Sequence, residues 1–363
     1  MPSGSAMAEA KTALANEFAK IIEALTQKAP GYAFSLYKNR ELLLSKGLPS
    51  YLEANYHKCE TVRTLIRRDA PVALDSIYVA PSFHMKRNVV TSEELIQAIG
   101  GELQPTVITG LAGSGKSVFL KRLFRKSIED GHTFYPIFFE LRSLASDADF
   151  SLQEVLFESV KKFAEGFTAG QFSFGLKRGS FFIIIDAFDE SPVELRDRLS
   201  DEIVDFRRKY PRCPIVISSR PSEVFSTWEG FVEAKLQPFS KEQCISFISK
   251  IDFDAERKRQ FKDALEADLF AKHKEFLSNP LLASMMLLTY DEYGEIPAKR
   301  HVFLKSVFKY CFVSTMFPKA DIEGSSILVL MPMVSSRSLG TFAFFRTWIG
   351  NSFSPETVLA SML

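Results

Sequence analysis

The sequence predicts an α/β fold in which helices cover both faces of a parallel sheet. Residues 181–185 are five apolar residues in a row, and 106–109 and 214–218 are short runs rich in β-branched residues. Strands that are buried on both faces of a parallel sheet have this continuous apolar character. Helical stretches separate the runs, and strands that alternate with helices indicate βαβ units.

The start of the chain is predicted to be helical. Apolar residues recur every three or four positions between Leu14 and Leu25, which indicates an amphipathic helix. Further helices are expected at 36–44 and 51–67, with a short extended piece at 77–79. We therefore predict that residues 1–90 form a small helical region and a linker.

The sheet is predicted to lie within residues 91–239. The expected elements are, in order, strand 106–109, helix 116–126, strand 134–141, helix 151–163, strand 181–185, a helix from 192 to about 210, and strand 214–218. Ser191 is expected to cap the sixth of these elements, with Pro192 at its first position and Glu194 completing a capping box.

Strand signals fade after Pro238, and residues 240–310 are predicted to be an all-helical domain. The expected helices are 241–251, 254–271, 281–290 and 301–312. The predicted architecture is thus a parallel sheet flanked by helices, with a small helical region before it and a helical domain after it.

Composition excludes several classes of protein. The formal net charge is +1, and the absence of a basic patch argues against a nucleic-acid partner. The N-terminus has no signal-peptide pattern, and the apolar stretch 327–334 is too short to span a bilayer. We therefore expect a cytoplasmic protein without a membrane partner. Reduced thiols, rather than zinc ligands or disulfides, are expected at Cys59, Cys213, Cys244 and Cys311.

The segment that follows the first strand reads GLAGSGKS and fits the phosphate-binding pattern GxxxxGK[ST] at every position. Its glycines let backbone N–H groups turn toward phosphate oxygens, and the next helix adds its positive N-terminal end. Nucleotide is expected to bind at Gly110, Gly113, Ser114, Gly115, Lys116 and Ser117. Lys116 would bridge the β- and γ-phosphates, and the Ser117 hydroxyl would hold Mg²⁺. The loop thus predicts a nucleoside triphosphate as ligand, and its pattern does not distinguish ATP from GTP.

An acidic block follows the apolar strand 181–185. Asp186 at the strand end occupies the Walker B position and is expected to hold Mg²⁺ through water. Asp189 and Glu190 follow on the loop, and either could polarise the attacking water. Glu190 is our preferred base.

Arg220 closes the strand 214–218. Ligands of open α/β sheets collect at the carboxyl ends of the strands, where Arg220 could read the γ-phosphate. The alternative is a surface salt bridge. The candidate catalytic residues are Lys116, Asp189, Glu190 and Arg220.

Together these motifs resemble those of the NACHT-type NTPases, a branch of the signalling (STAND) P-loop ATPases that includes animal inflammasome receptors and bacterial antiviral proteins. The resemblance extends from about Thr106 to Phe308. It also rests on the segments Ser219–Pro221, Leu236–Ser240, Asn279–Leu282 and Gly294–Pro297. Ala187 stands where the family often has glycine, a difference that we expect to have no effect.

The resemblance implies a switch of bacterial defence type. Such proteins rest with ADP, exchange it for ATP when a helical lid is freed, assemble through the NTPase domain and hydrolyse ATP slowly. In that family a proline at the position of Pro280 packs on the adenine. Helix initiation is the other interpretation of Pro280. Two other functions remain open, an AAA+-like ATPase acting on nucleic acid and a nucleotide-binding scaffold without hydrolysis.

Both ends of the chain depart from the family plan. The N-terminal region is too short for a nuclease or protease effector, and the C-terminus shows no sensor repeats. Residues 311–363 contain six charged residues, and the family's winged-helix histidine has no counterpart after His301. One hypothesis is a frameshifted, truncated product, which the coding DNA after codon 310 would test. The other is a natural, divergent tail.

Overall fold

The computed structural model describes residues 47–67, 70–129, 134–144 and 151–293 of the 363-residue chain. Its strands are β1 (Thr61–Val62), β2 (Val72–Ala73), β3 (Ser82–Met85), β4 (Asn88–Thr91), β5 (Thr106–Thr109), β6 (Tyr135–Glu140), β7 (Phe181–Asp186), β8 (Ile215–Ser219) and β9 (Val232–Leu236). Its α-helices are α1 (Leu48–Glu60), α2 (Leu74–Ile77), α3 (Ser92–Gly101), α4 (Lys116–Glu129), α5 (Leu152–Lys161), α6 (Ala169–Arg178), α7 (Arg196–Lys209), α8 (Lys241–Lys250), α9 (Ala255–Ala264), α10 (Phe270–Lys272), α11 (Lys274–Leu277) and α12 (Pro280–Tyr293).

Seven strands form one sheet in the order β4-β3-β9-β5-β8-β7-β6. The strands from β9 to β6 are parallel, and β3 pairs antiparallel with both β4 and β9. Every residue of β7 is buried, as expected for a central parallel strand covered on both faces. The predicted α/β fold with a parallel sheet between helices is confirmed.

Helix α4 packs an apolar stripe on this sheet. Phe119, Leu120, Leu123 and Phe124 recur at helical spacing and are fully or almost fully buried. The ring of Phe119 lies 4.8 Å from that of Phe83 on β3, measured between centroids. The helix that begins at the phosphate-binding loop is therefore held by both the parallel and the antiparallel parts of the sheet.

Residues before 91 contribute more than helices and a linker. Strands β3 and β4 extend the sheet at one edge, so that part of the region predicted as linker belongs to it. Helix α1 begins at Leu48 and ends at Glu60, shorter than the predicted helix 51–67, because Thr61 turns extended and pairs with Ala73. Residues 74–77 form the helical turn α2, and the chain becomes extended only at Tyr78.

The predicted cap at Ser191 is wrong. A short 3₁₀ turn occupies Val193–Leu195, and α7 begins at Arg196 without a side-chain cap. The Ser191 hydroxyl instead donates to the carbonyl of Phe188 at 2.7 Å, within the preceding turn. The Ser191 hydroxyl is therefore bound within the acidic turn and does not cap the helix, although the local sequence indicates a cap.

Residues after 240 are helical within the described range. Helix α8 is capped by Ser240 in a capping box, and α9 is capped by Asp254. A π-helical turn at Leu265–Leu269 interrupts the single helix predicted for 254–271. The chain divides into two compact units after Ser284, and the described part of the second is residues 285–293 at the end of α12.

Several predictions fall outside the described residues. They are the helices at 14–25, 36–44 and 301–312, Cys311, and the tail 311–363. The domain boundaries at 90, 239 and 310 stay predictions. Within the described ranges no helix is long and apolar enough to cross a membrane. Cys59, Cys213 and Cys244 are buried free thiols, as predicted.

Candidate nucleotide-binding site

The predicted site residues come from three loops at the carboxyl edge of the parallel strands. The phosphate-binding loop follows β5, the acidic turn follows β7, and Arg220 follows β8. Strands β5 and β8 are neighbours, and the chain leaves them in opposite directions, from β5 toward β6 and from β8 toward β9. Such a switch in strand order creates the crevice in which open α/β sheets bind ligands.

The phosphate-binding loop depends on glycine at two positions. Gly113 and Gly115 have φ of 73° and 101°, in the left-handed region that other residues rarely adopt. The start of the loop is tied to β8, because the amide of Gly110 donates to the carbonyl of Ser219 at 3.3 Å. These two glycines and this hydrogen bond define the shape of the loop.

The side chain of Lys116 folds back over its own loop. Its Nζ donates to the carbonyls of Gly110 at 2.7 Å and Leu111 at 3.0 Å. Burial lowers the pKa of Lys116, and the negative charge of Asp189 acts in the opposite direction. The ammonium group thus lies within the loop whose backbone N–H groups are expected to bind phosphate.

Ser117 and Asp186 meet between the loop and the end of β7. The Ser117 hydroxyl donates to Oδ1 of Asp186 at 3.0 Å. Burial raises the pKa of Asp186, and hydrogen bonds from the hydroxyls of Ser218 and Ser117 act against that rise. Ser218, which the sequence analysis missed, also accepts the amide of Ala187 at 2.9 Å. It fixes the carboxylate from the neighbouring strand.

This pair of oxygen ligands fits Mg²⁺. The ion prefers oxygen, and in nucleotide sites it takes one or two protein ligands and completes its shell with phosphate oxygens and water. Within the described ranges no group of three or more histidine, cysteine, aspartate or glutamate side chains could hold a metal ion. A hydroxyl beside one carboxylate therefore matches a metal that is shared with a substrate phosphate.

Ala187 adopts a left-handed conformation, with φ 63° and ψ 56°. Such a backbone costs an L-residue with a Cβ about 1–2 kcal/mol, whereas glycine adopts it without that cost. The expectation that alanine here has no effect does not fit this geometry. Alanine in place of glycine leaves the acidic turn strained at its first residue.

Asp189 and Arg220 form an ion pair between the turn after β7 and the end of the adjacent strand β8. Nε of Arg220 lies 2.9 Å from Oδ2 of Asp189, and the backbone amide of Arg220 donates to Oδ1 at 2.9 Å. Both loops are also fastened by aromatic packing, because Phe188 contacts the rings of Phe225 and Trp228 at centroid distances of 5.7 and 5.3 Å. The carboxylate of Asp189 therefore orients Arg220.

Glu190 lies at the surface beside this pair. Partial burial by the surrounding protein raises the pKa of its carboxyl, and the negative charge of Asp189 adds to the rise. Arg142 acts in the opposite direction. Of the two candidate bases, Glu190 thus has the exposed side chain, whereas Asp189 is engaged by Arg220.

A fourth acid at this edge, Glu140, was not singled out from the sequence. Glu140 ends β6 directly opposite Asp186 in the strand register. Arg142 donates to its Oε2 through Nη2 at 2.8 Å, and Nζ of Lys58 lies 3.3 Å from Oε1. Burial acts to raise the pKa of Glu140, but these cations outweigh it and the net shift is downward. Glu140 could have been found in the sequence, because it is an acid at the end of a strand that neighbours β7.

Pro280 is the first residue of α12, and the residue before it touches the phosphate-binding loop. Nδ2 of Asn279 donates to the carbonyl of Ala112 at 2.9 Å. The start of α12 thus lies at the site, together with Gly110, Gly113, Ser114, Gly115, Lys116, Ser117, Asp186, Asp189, Glu190 and Arg220.

The NACHT domain family matches residues 104–254. No curated protein sequence matches the chain. Similar solved structures include a STAND protein with a tetratricopeptide repeat sensor from Pyrococcus horikoshii, with a TM-score of 0.40 and 16% identity over 81% of this chain and 41% of that protein. This chain therefore spans about two fifths of that protein's length.

Two further structures are similar at the same level. A Walker-type ATPase from Pyrococcus abyssi has a TM-score of 0.38 and 14% identity over 75% of this chain and 86% of that one. Cdc6p from Pyrobaculum aerophilum has a TM-score of 0.36 and 11% identity over 62% and 67%. Likenesses this low carry no argument about function. The family match and the loop Gly110–Ser117 assign residues 104–254 to the NACHT family of P-loop NTPases.

Proposed function

We propose that this chain is an ATP-binding signalling switch, which hydrolyses ATP slowly with Mg²⁺ and acts in the cytoplasm in bacterial antiphage defence. The observation that carries the proposal is the hydrogen bond between Ser117 and Asp186. It joins a complete phosphate-binding loop, which follows β5, to an acid at the end of β7, and β8 lies between these two strands in the sheet. A hydroxyl and a carboxylate at this distance are the pair that holds a metal beside the terminal phosphates of a nucleotide.

The phosphates would be bound by the loop and its lysine. Backbone N–H groups of the glycine-rich loop and the N-terminus of α4 offer donors and positive potential. Lys116 would exchange its bonds to the carbonyls of Gly110 and Leu111 for bonds to phosphate oxygens. Ser117 and Asp186 would hold Mg²⁺, which supplies charge neutralisation on the phosphates.

Glu190 is the proposed general base, and Arg220 the proposed γ-phosphate reader. A base must have an available carboxylate, and Asp189 is committed to Arg220 through both of its oxygens. The raised pKa of Glu190 makes its carboxylate a better proton acceptor. In this arrangement Asp189 orients the guanidinium of Arg220 at the end of β8.

The switch itself is proposed from the family. An ADP-bound form would be closed. A trigger would free the helical lid, ATP would replace ADP, and the NTPase domains would then self-associate. A γ-phosphate can bias such a two-state element when it adds contacts in only one state. We expect light scattering to show a larger species with ATP than with ADP.

The decisive experiment is nucleotide binding by the Lys116→Ala variant. We expect the loss of one charged partner of phosphate to weaken ATP binding by roughly 10²-fold, the equivalent of about 3 kcal/mol for a charge-assisted contact. Lys126→Ala, in the same helix, is the matched control and should bind as the wild type does. Calorimetry with ATP and GTP in separate titrations also determines whether the protein prefers adenine or guanine. Unchanged ATP affinity in Lys116→Ala would contradict the phosphate assignment.

A further inference from the structure

The N-terminus of α12 is joined to the phosphate-binding loop by one buried side chain. Asn279 is 7% exposed, and its Nδ2 donates to the carbonyl of Ala112 at 2.9 Å. Beside it, the backbone amide of Leu281 lies 3.4 Å from the carbonyl of Gly113. Two consecutive carbonyls of the loop therefore face the start of the helix.

The other end of the same amide caps α12. Oδ1 of Asn279 accepts from the backbone N–H groups of Leu281 at 3.0 Å and Leu282 at 3.3 Å. Serine and aspartate are equally good caps because they accept hydrogen bonds from these groups. Of these cap residues, asparagine offers an N–H donor at the tip of its side chain, which here reaches the loop. The residue type thus fits both tasks at once.

Gly113 permits this close approach. A Cβ built on Gly113 would lie 2.6 Å from the Cβ of Leu281 and 3.1 Å from Oδ1 of Asn279. Together with its φ of 73°, this contact leaves glycine as the residue that fits. The backbone of the loop at Gly113 therefore packs directly against the start of α12, with no room for a side chain between them.

The hydrogen bond to Ala112 also orients the next amide. In a trans peptide the C=O and N–H groups point in opposite directions. Because Asn279 holds the Ala112 carbonyl toward α12, the N–H of Gly113 points away from α12. Loops of this pattern bind phosphate through such backbone N–H groups.

We propose that Asn279 is a positioning residue that couples nucleotide retention to the docking of α12 on the loop. While α12 is seated, Asn279 holds the Ala112–Gly113 peptide in one orientation. When α12 moves, that restraint is lost. Coupling of this kind is reciprocal, so that bound ADP also favours the seated helix. The inference rests on the proposed nucleotide site and adds the residue that regulates it.

The test compares nucleotide release from the full-length wild-type chain and two variants. Asn279→Ser keeps a helix cap but is too short to reach Ala112, whereas Asn279→Ala loses both contacts. Release of the fluorescent nucleotide mant-ADP is followed after mixing with excess ADP. We expect both variants to release it roughly 3- to 10-fold faster, the range that corresponds to one hydrogen bond. Asn279→Ala should lower the unfolding midpoint without nucleotide further than Asn279→Ser does, because it loses the cap as well as the bond to Ala112.

Asp254→Ala is the matched control. Asp254 caps α9 through the amide of Arg257 at 2.9 Å and is exposed. We expect this variant to release mant-ADP at the wild-type rate. Wild-type release from Asn279→Ser would overturn the inference, as would equally fast release from Asp254→Ala. Absence of mant-ADP binding to the wild type would overturn the proposed function and this inference with it.

Discussion

The left-handed backbone of Ala187 leads to a prediction about stability that is opposite to the expectation from the sequence alone. We expect Ala187→Gly to stabilise the protein, although glycine in place of alanine usually destabilises. Relief of the left-handed conformation is worth about 1–2 kcal/mol. The greater freedom of glycine in the unfolded chain removes about 0.4–1 kcal/mol of that gain. At the middle of these ranges the net change is a rise of about 0.8 kcal/mol in the free energy of unfolding, and the full ranges span about 0 to 1.6 kcal/mol.

The same substitution at Ala98 is the control. Ala98 lies inside α3, where glycine costs about 1 kcal/mol. Both variants are compared with the wild type by thermal unfolding, in which 1 kcal/mol corresponds to about 2–4 °C for a domain of 150–250 residues. We expect the midpoint to rise for Ala187→Gly and to fall for Ala98→Gly. Equal decreases in the two variants would refute the left-handed conformation of Ala187.

Two further predictions concern Glu190 and the thiols. Glu190→Gln should retain ATP binding and lower turnover by roughly 10²- to 10⁴-fold, and wild-type turnover in that variant would move the base to Asp189. Because the pKa of Glu190 is raised, wild-type turnover should fall with decreasing pH above the usual glutamate range, a loss measured by a pH–kcat profile. Burial raises the pKa of Cys213 to about 11 and of Cys59 and Cys244 to about 12, so brief alkylation at pH 8 followed by peptide mapping should leave these three unmodified in the folded protein.

The parallel core was predictable because its signals are local. The run 181–185 is apolar throughout, which a strand covered on both faces requires, and helix α4 shows its buried face in the spacing of phenylalanine and leucine. Strands β3 and β9 were not predicted. Neither strand has a continuous apolar run, and Phe83 pairs with Leu236, more than a hundred residues away, so no local pattern records the pairing.

The site was predictable in its members but not in their pairing. The spacing of the glycines predicted the phosphate-binding loop, and the acidic block predicted Asp186. Each of these patterns lies within one short segment of the sequence. Which acid binds Arg220, and which stays exposed, depends on how the turn after β7 faces the end of β8. Glu140 and Ser218 were missed for the same reason. Glu140 lies opposite Asp186 in the register of the neighbouring strand β6, and Ser218 donates to Asp186 from β8.

The sequence by itself determined the fold class and the phosphate-binding loop, because backbone freedom at glycine and continuous apolar character act over a few residues. Only the tertiary structure decided that Ala187 is left-handed, that Asp189 holds Arg220, and that Asn279 reaches Ala112. Asp189 and Asn279 meet partners 31 and 167 residues away. Contacts at that separation exist only after the sheet has brought the chain segments together.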